Sequence, residues 1–341
     1  MRPTVHDIAR MANVSLATVD RVLNNRPGVR EKTRALVEKT IADLGYVRDV
    51  AAANLAKKRR YVFEFLLPEG DNSFIRMLGE AVHETADALK LDRTELLMRR
   101  ITAFDAEALA KEIEAAVVRD VDGIAIVAID DDSVRAAVAA ATEAGIPVVT
   151  IVSDLPGSRR VHFAGIDNLA AGKTAASLLG RFMAPRQGKV GVIAGSLKAR
   201  DHRERLAGFE EVMQRYFPAF QVLPVLEGAD DPKRVEELAS VLLENHADLV
   251  GIYSLGAGNR GLVKALKKAG DRALLPVIAH ELTAVAREAL TCGIFDAVLN
   301  QDAAREVRSA VRVMKAHADG LEANEAQERI RIDIFLKDNM P

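Results

Sequence analysis

The chain has 341 residues, 49% hydrophobic and 28% charged, with a formal net charge of −2. That length exceeds one ordinary core and fits two or three domains, and the composition excludes a disordered or fibrous chain. The charge is unevenly placed: residues 1–60 hold 13 Lys/Arg against 6 Asp/Glu, so a basic head precedes an acidic body, as in a nucleic-acid-binding module joined to something else.

Residues 4–34, TVHDIARMANVSLATVDRVLNNRPGVREKTR, predict short helices. Val5, Ile8, Ala9 and Ala12 share one helical face, and Val14, Val19 and Val22 supply a second apolar set. Asn13 suits the left-handed turn that ends the first helix, and Ser15 suits the cap of the next. Two helices joined by a tight turn form a helix-turn-helix, whose second helix can enter a DNA major groove. Residues 31–45 predict a third helix stopped by Gly45, followed by an Ala-rich stretch at 48–56 and the basic run Lys57-Lys58-Arg59-Arg60.

From residue 61 the pattern changes to alternating strands and helices. Strands are expected at 61–67, 96–99, 123–129, 148–152, 161–164, 190–194, 221–226, 249–254, 276–280 and 297–300, and the final IRIDIFLKD also alternates. Helices between them, for example 73–89, 105–118, 133–144, 169–183, 202–216, 232–245, 260–269 and 303–318, give repeated βα units and therefore parallel sheets. Ten strands exceed a comfortable single sheet, so two are expected.

The head resembles the lactose-repressor (LacI/GalR) family of bacterial regulators. The matching residues are Thr4-Val5-x-Asp7-Ile8-Ala9, Val14-Ser15, Thr18-Val19, Arg21-Val22-Leu23-Asn24, Val29, Thr33-Arg34 and Leu44-Gly45-Tyr46. The body resembles, more loosely, the two-lobed type I sugar-binding fold shared with periplasmic binding proteins. The resemblance implies an all-α helix-turn-helix DNA-binding domain (1–47), a hinge helix and linker (48–60), and an α/β ligand-binding and dimerisation body (61–341). One lobe would take 61–161 and 284–325, the other 162–283 and 326–341. It also implies a cytoplasmic homodimer on a near-palindromic operator, with a sugar or polyol in the cleft.

On the reading helix, Leu16, Ala17, Asp20 and Arg21 would face the bases, with Arg21 able to fork onto guanine. Thr4, Ser15, Thr18, Asn24 and Thr33 are expected at the DNA, the last four matching the family's phosphate contacts. Asn54 and Leu55 fall on the hinge helix, whose leucine wedges into the minor groove. Asp20 departs from the family's Ser; a carboxylate there must accept from cytosine or pair with a neighbour such as Arg21 or Arg10.

Strand C-termini point into such a cleft, so polar residues there are the candidates. Asn72 and Phe74 match the polar and aromatic pair after the first strand. Ser153 and Asp154 stand where relatives place Asp-Arg, and Asp167 serves equally well as a helix cap. Arg205 matches the second Arg of R-x-R-x-x-G-F. His280-Glu281 stand where relatives place Asp, and Gln301 matches a sugar-binding Gln or Asp.

Gly256-x-Gly258-x-x-Gly261 follows a strand, opens a helix, and is trailed 20 residues on by Glu281, a dinucleotide fingerprint in form. That leaves an NAD-dependent enzyme as an alternative, although the motif sits late in the chain. In the sugar-binding fold the same turn faces the cleft, where Asn259 becomes a contact. A regulator with a degenerate cleft is the other alternative. Asp130-Asp131-Asp132 is expected as a solvated loop capping the next helix. No metal, cofactor or catalytic triad is expected. Cys292 is the only cysteine, so the chain can form no internal disulfide; it is expected to be buried among apolar neighbours. No apolar run approaches the ~20 residues that span a bilayer. Arg2, Asp7 and Arg10 interrupt the apolar stretch that an export signal needs.

Overall fold

The computed structural model describes residues 3–23, 26–46, 59–270 and 274–341. The chain divides into two compact units, Met1–Arg59 and Arg60–Pro341. The expected contacts Asn24, Asn54 and Leu55, and with the last two the hinge helix, lie outside the described residues.

The first unit holds α1 (Val5–Met11), α2 (Leu16–Leu23) and α3 (Glu31–Leu44). Thr4 and Asp7 form a reciprocal capping box on α1, each side chain accepting from the other's backbone N–H. Asn13 takes φ 50° in the turn, and Gly45 takes φ 59° at the end of α3, as their side chains permit. Ser15 Oγ accepts from Thr18 N–H at 3.2 Å and caps α2. Ile8, Ala9, Ala12, Val19, Val22 and Val37 close the core.

The second unit opens with β1 (Tyr61–Pro68), a run buried along most of its length, as a central parallel strand is. Then follow α4 (Ser73–Leu89), β2 (Thr94–Ile101), α5 (Ala106–Val118), β3 (Gly123–Ile126), α6 (Asp132–Glu143), β4 (Val148–Ile151) and β5 (His162–Ala164). They build a parallel sheet in the order β2-β1-β3-β4-β5. Glu64, in the middle of β1, is fully buried. The fold tolerates that charge because Arg99 and Arg119 (2.8 Å) hold its carboxylate.

The second lobe contains α7 (Asn168–Met183), β6 (Gly188–Ala194), α8 (Arg200–Tyr216), β7 (Phe220–Val222), β8 (Leu226–Glu227), α9 (Pro232–Asn245), β9 (Leu249–Ser254), α10 (Asn259–Ala269), β10 (Val277–His280), α11 (Ala284–Thr291) and β11 (Ala297–Asn300). The chain returns to the first lobe for α12 (Ala303–Ala318) and α13 (Glu325–Glu328), then ends in β12 (Asp333–Phe335). The second sheet runs β12-β11-β10-β9-β6-β7, with β8 beside β6. As expected it is a parallel sheet, with β12 at its edge pairing antiparallel with β11. Apolar layers cover both faces of each sheet.

Lobe membership differs from expectation at two places. Residues 162–164 pair with β4 and stay in the first sheet. Residues 284–300 stay in the second lobe, because β11 pairs with β10. The crossings therefore fall between Ala164 and Ile166, between Asn300 and Ala303, and between Glu328 and Ile330, as the core partners of these residues require. Cys292 is exposed, not buried: it terminates α11 beside Gly293, on the solvent side of a turn.

Candidate functional site

A cleft of about 610 Å³ lies between the lobes of the second unit. Asn72, Phe74, Ser153, Arg205, Asn259, His280, Glu281 and Gln301 all line it. Two expected residues do not. Asp154 is turned into an ion pair with Arg160 and accepts from Thr150 Oγ1 at 2.8 Å. Burial raises the Asp154 pKa, but the Arg160 and Thr150 hydrogen bonds outweigh it and hold the carboxyl below its usual range. Asp167 accepts from Ala170 N–H at 2.9 Å and serves as the cap of α7.

Arg205 is the hub and is only 2% exposed. Its Nε donates to Asn168 Oδ1 (2.8 Å), Nη1 to the Leu255 carbonyl (3.0 Å), and Nη2 faces Glu281 Oε1 (3.4 Å). Helix α7 approaches α8 closely enough for Asn168 to reach it, because a Cβ at Gly172 would fall on the Arg205 carbonyl. Glu281 also accepts from the side chain (2.8 Å) and backbone (3.3 Å) of Gln301. Burial pushes the Glu281 carboxyl up, opposed by Arg205 and Gln301.

Both lobes place a non-glycine residue in the left-handed region at a strand end beside the cleft: Val152 (φ 63°) after β4 and Glu281 (φ 67°) after β10. Such strain recurs at ligand clamps, and it is costlier for the β-branched Val152. Ser153 Oγ, His280 Nδ1 and Gln301 Oε1 are buried without a hydrogen-bond partner. All three belong to residues of the cleft wall, and each lacks a partner within the chain, which a native fold seldom leaves unanswered.

Several cleft residues carry little sequence signal. Asp230, at φ 57°, accepts from Asn72 Nδ2 across the cleft (3.0 Å) and from Ala257 N–H (3.0 Å). That second bond places a carboxylate at the turn where the dinucleotide reading needs a pyrophosphate. The glycines there answer to packing: a Cβ would meet Gly195 at Gly256, Val235 at Gly258 and Pro232 at Gly261. Asn259 is committed to Ser254 (2.8 Å) and the His280 carbonyl (3.1 Å).

In the aspartate run, Asp131 caps α6 as expected. Asp130 is not a solvated loop residue: it pairs with Arg135, Arg200 (3.3 Å) and Arg203 (2.7 Å). Among the described residues, no group of three or more His, Cys, Asp or Glu is placed to hold a metal ion. No described helix is long and apolar enough to cross a membrane.

In the head, α2 exposes Leu16, Ala17, Asp20 and Arg21 on one side while Val19 and Val22 are buried. Leu16 is 44% exposed. Asp20 pairs with a neighbouring arginine, Arg26 (3.3 Å). Thr18 and Thr33 lie half-buried near the N-terminal ends of α2 and α3. Thr4 is tied into its capping box.

Residues 63–322 match the family described as periplasmic binding protein domain, and residues 4–49 match bacterial regulatory proteins, lacI family. The HTH-type transcriptional regulator DegA of Bacillus subtilis is 27% identical over 215 residues. That match spans 63% of this chain and 61% of DegA, less than two thirds of the relative's length. The lactose operon repressor of Escherichia coli is 25% identical over 278 residues, covering 80% of this chain and 73% of the repressor. Among solved structures, an ABC transporter solute-binding protein from Burkholderia graminis in complex with D-arabinose aligns with TM-score 0.74 and 26% identity. It covers 82% of this chain and 96% of that one.

Proposed function

Since the chain belongs to the periplasmic binding protein domain family over residues 63–322 and its residues 4–49 match bacterial regulatory proteins, lacI family, we propose that it is a cytoplasmic, homodimeric repressor. Its operator affinity is set by a sugar or polyol held between the lobes. The observation that carries this reading is the convergence of Ser153 from one lobe, Arg205, His280 and Glu281 from the other, and Gln301 from a crossing segment on one cleft. The neighbour that holds D-arabinose supports a carbohydrate as occupant.

The mechanism is a population shift. A ligand that binds the closed lobes better than the open ones biases the angle between them, and with it the geometry of two heads on two half-sites. Arg21 reads a base; Ser15, Thr18 and Thr33 set register through phosphates. Selection of bound DNA from a random pool by full-length protein tests the reading. Enrichment of a near-palindrome whose recovery changes with added sugar is the expected result. Salt-sensitive binding without sequence enrichment, with and without sugars, would sink it.

A constitutive regulator is the second reading, favoured by one feature: Arg205 already gives three of its five donors to partners within the chain. Thermal unfolding against a sugar and polyol panel separates the two, since ligand raises the melting temperature by linkage.

A further inference from the structure

His280 ends β10 on the cleft wall, 1% exposed. Its Nε2 lies 2.8 Å from the hydroxyl of Tyr253, the penultimate residue of the neighbouring strand β9, and its Nδ1 is buried with no partner. Burial, reinforced by the charge of Arg205, keeps the imidazole neutral, so one ring nitrogen carries a proton and the other does not. Tyr253 is fully buried, and His280 is the hydrogen-bond partner of its hydroxyl. If His280 Nε2 held the proton, the Tyr253 proton would have no acceptor and Nδ1 would lie bare, leaving two groups unsatisfied. If Tyr253 donates to Nε2, only the Nδ1–H remains open. The second arrangement avoids the cost of one more buried orphan, about 1–3 kcal/mol.

We infer that Tyr253 is a positioning residue that fixes His280 as an Nδ1–H donor, and that this donor together with the Arg205 guanidinium selects a charged acceptor, the carboxylate of a sugar acid, over a hydroxyl. The inference rests on the ligand-controlled reading above and refines its ligand class. A carboxylate at this position, as the sequence resemblance leads one to expect, would accept from a sugar hydroxyl. The Tyr253–His280 pair reverses that polarity. Arg205, on the same wall, adds two N–H groups beyond its three internal bonds, and a guanidinium favours a carboxylate over a hydroxyl. The Glu281 charge is offset by Arg205, and its oxygens are further engaged by the side chain and backbone of Gln301. Gln301 Oε1 and Ser153 Oγ are left for the ligand's hydroxyl groups.

Two measurements on the full-length protein test this. Nitrogen–proton correlation spectra of histidine-labelled protein, with His280 identified by its loss in His280→Gln, report which ring nitrogen is protonated. The expected pattern is Nδ1–H in the wild type and a switched or mixed tautomer in Tyr253→Phe. A wild-type Nε2–H overturns the positioning role, as does a folded Tyr253→Phe with an unchanged pattern; if that variant does not fold, the wild-type spectrum decides. Calorimetry then compares D-glucuronate with D-glucose, and D-galacturonate with D-galactose. Each acid is expected to bind about 10- to 100-fold more tightly than its neutral partner, with the order reversed in His280→Asp. A neutral sugar that binds as well as its acid overturns the ligand class. Failure of all four to bind a protein with the expected tautomer counts against the carbohydrate reading itself and leaves the role of Tyr253 standing.

Discussion

Glu306 is fully buried in the first turn of α12, where its carboxyl makes no well-formed hydrogen bond and only the Val152 backbone N–H approaches it. Burial raises its pKa well above the ordinary value, and the nearby Glu281 charge raises it further against Arg205. The folded chain therefore keeps a proton that the unfolded chain releases. The linked stability is fully present below the ordinary Glu range and is lost as pH rises through the folded-state pKa. Glu306→Gln supplies a neutral isostere, so its melting temperature should match the wild type in acid and exceed it in alkali. Parallel profiles across the pH range would show that Glu306 is not protonated in the fold. Arg205 makes the opposite case, a charge whose removal strands its partner. Arg205→Ala should cost about 3–5 kcal/mol in denaturant unfolding, because Glu281 is left buried and unpaired. Adding Glu281→Gln should return part of that loss; strict additivity of the two changes would mean that they do not interact.

The elements of this fold were largely legible in the sequence, and their partnerships were less so. Helices α4, α9 and α12 fall where the 3.6-residue period places them, with caps at Asn72, Asp231 and Asp302. Helix α11, eight residues capped by Thr283, was not among the helices expected from the sequence. Strand pairing is non-local: nothing within HFA or AVLN says which sheet each strand joins. The same limit governs the cleft. Arg205 and Gln301 were readable from motifs, whereas Asp230 depends on a left-handed backbone and on a partner, Asn72, that is 158 residues away. Glu306 was hidden because a glutamate in a first helical turn reads as a solvated match to the helix dipole. Close packing of α7 on α8 sets the position of Arg205, which makes Gly172 a test at this scale. Gly172→Ala should push α8 away, cost about 1–3 kcal/mol, and weaken ligand binding although residue 172 does not line the cleft. A variant that keeps wild-type stability and affinity would show that the helix contact is slack.

At the scale of the body, polar contacts bridge both margins of the cleft. On one side Asp130 of the first lobe holds Arg200 and Arg203 of α8. On the other Asp71 meets Arg260 (3.3 Å) and Asn72 meets Asp230 (3.0 Å). Asp71 and Arg260 are half-exposed, and Asp130, itself 15% exposed, meets partly exposed arginines, so each ion pair contributes only ~0–1 kcal/mol and is weakened by salt. Contributions of that size suit a two-state element whose states differ by a few kcal/mol, since a ligand can then tip the balance through differential affinity. Asp130→Asn weakens two cross-lobe pairs with one substitution of nearly unchanged volume. The ligand-free variant should therefore populate the open form more, with a larger radius of gyration in solution scattering. High salt should expand the wild type in the same sense and change the variant less. Any sugar that binds should do so more weakly to Asp130→Asn, because part of its binding free energy now goes into closing the lobes. An unchanged radius, with the wild-type response to salt, would mean that these contacts decorate the cleft margin without setting the lobe equilibrium.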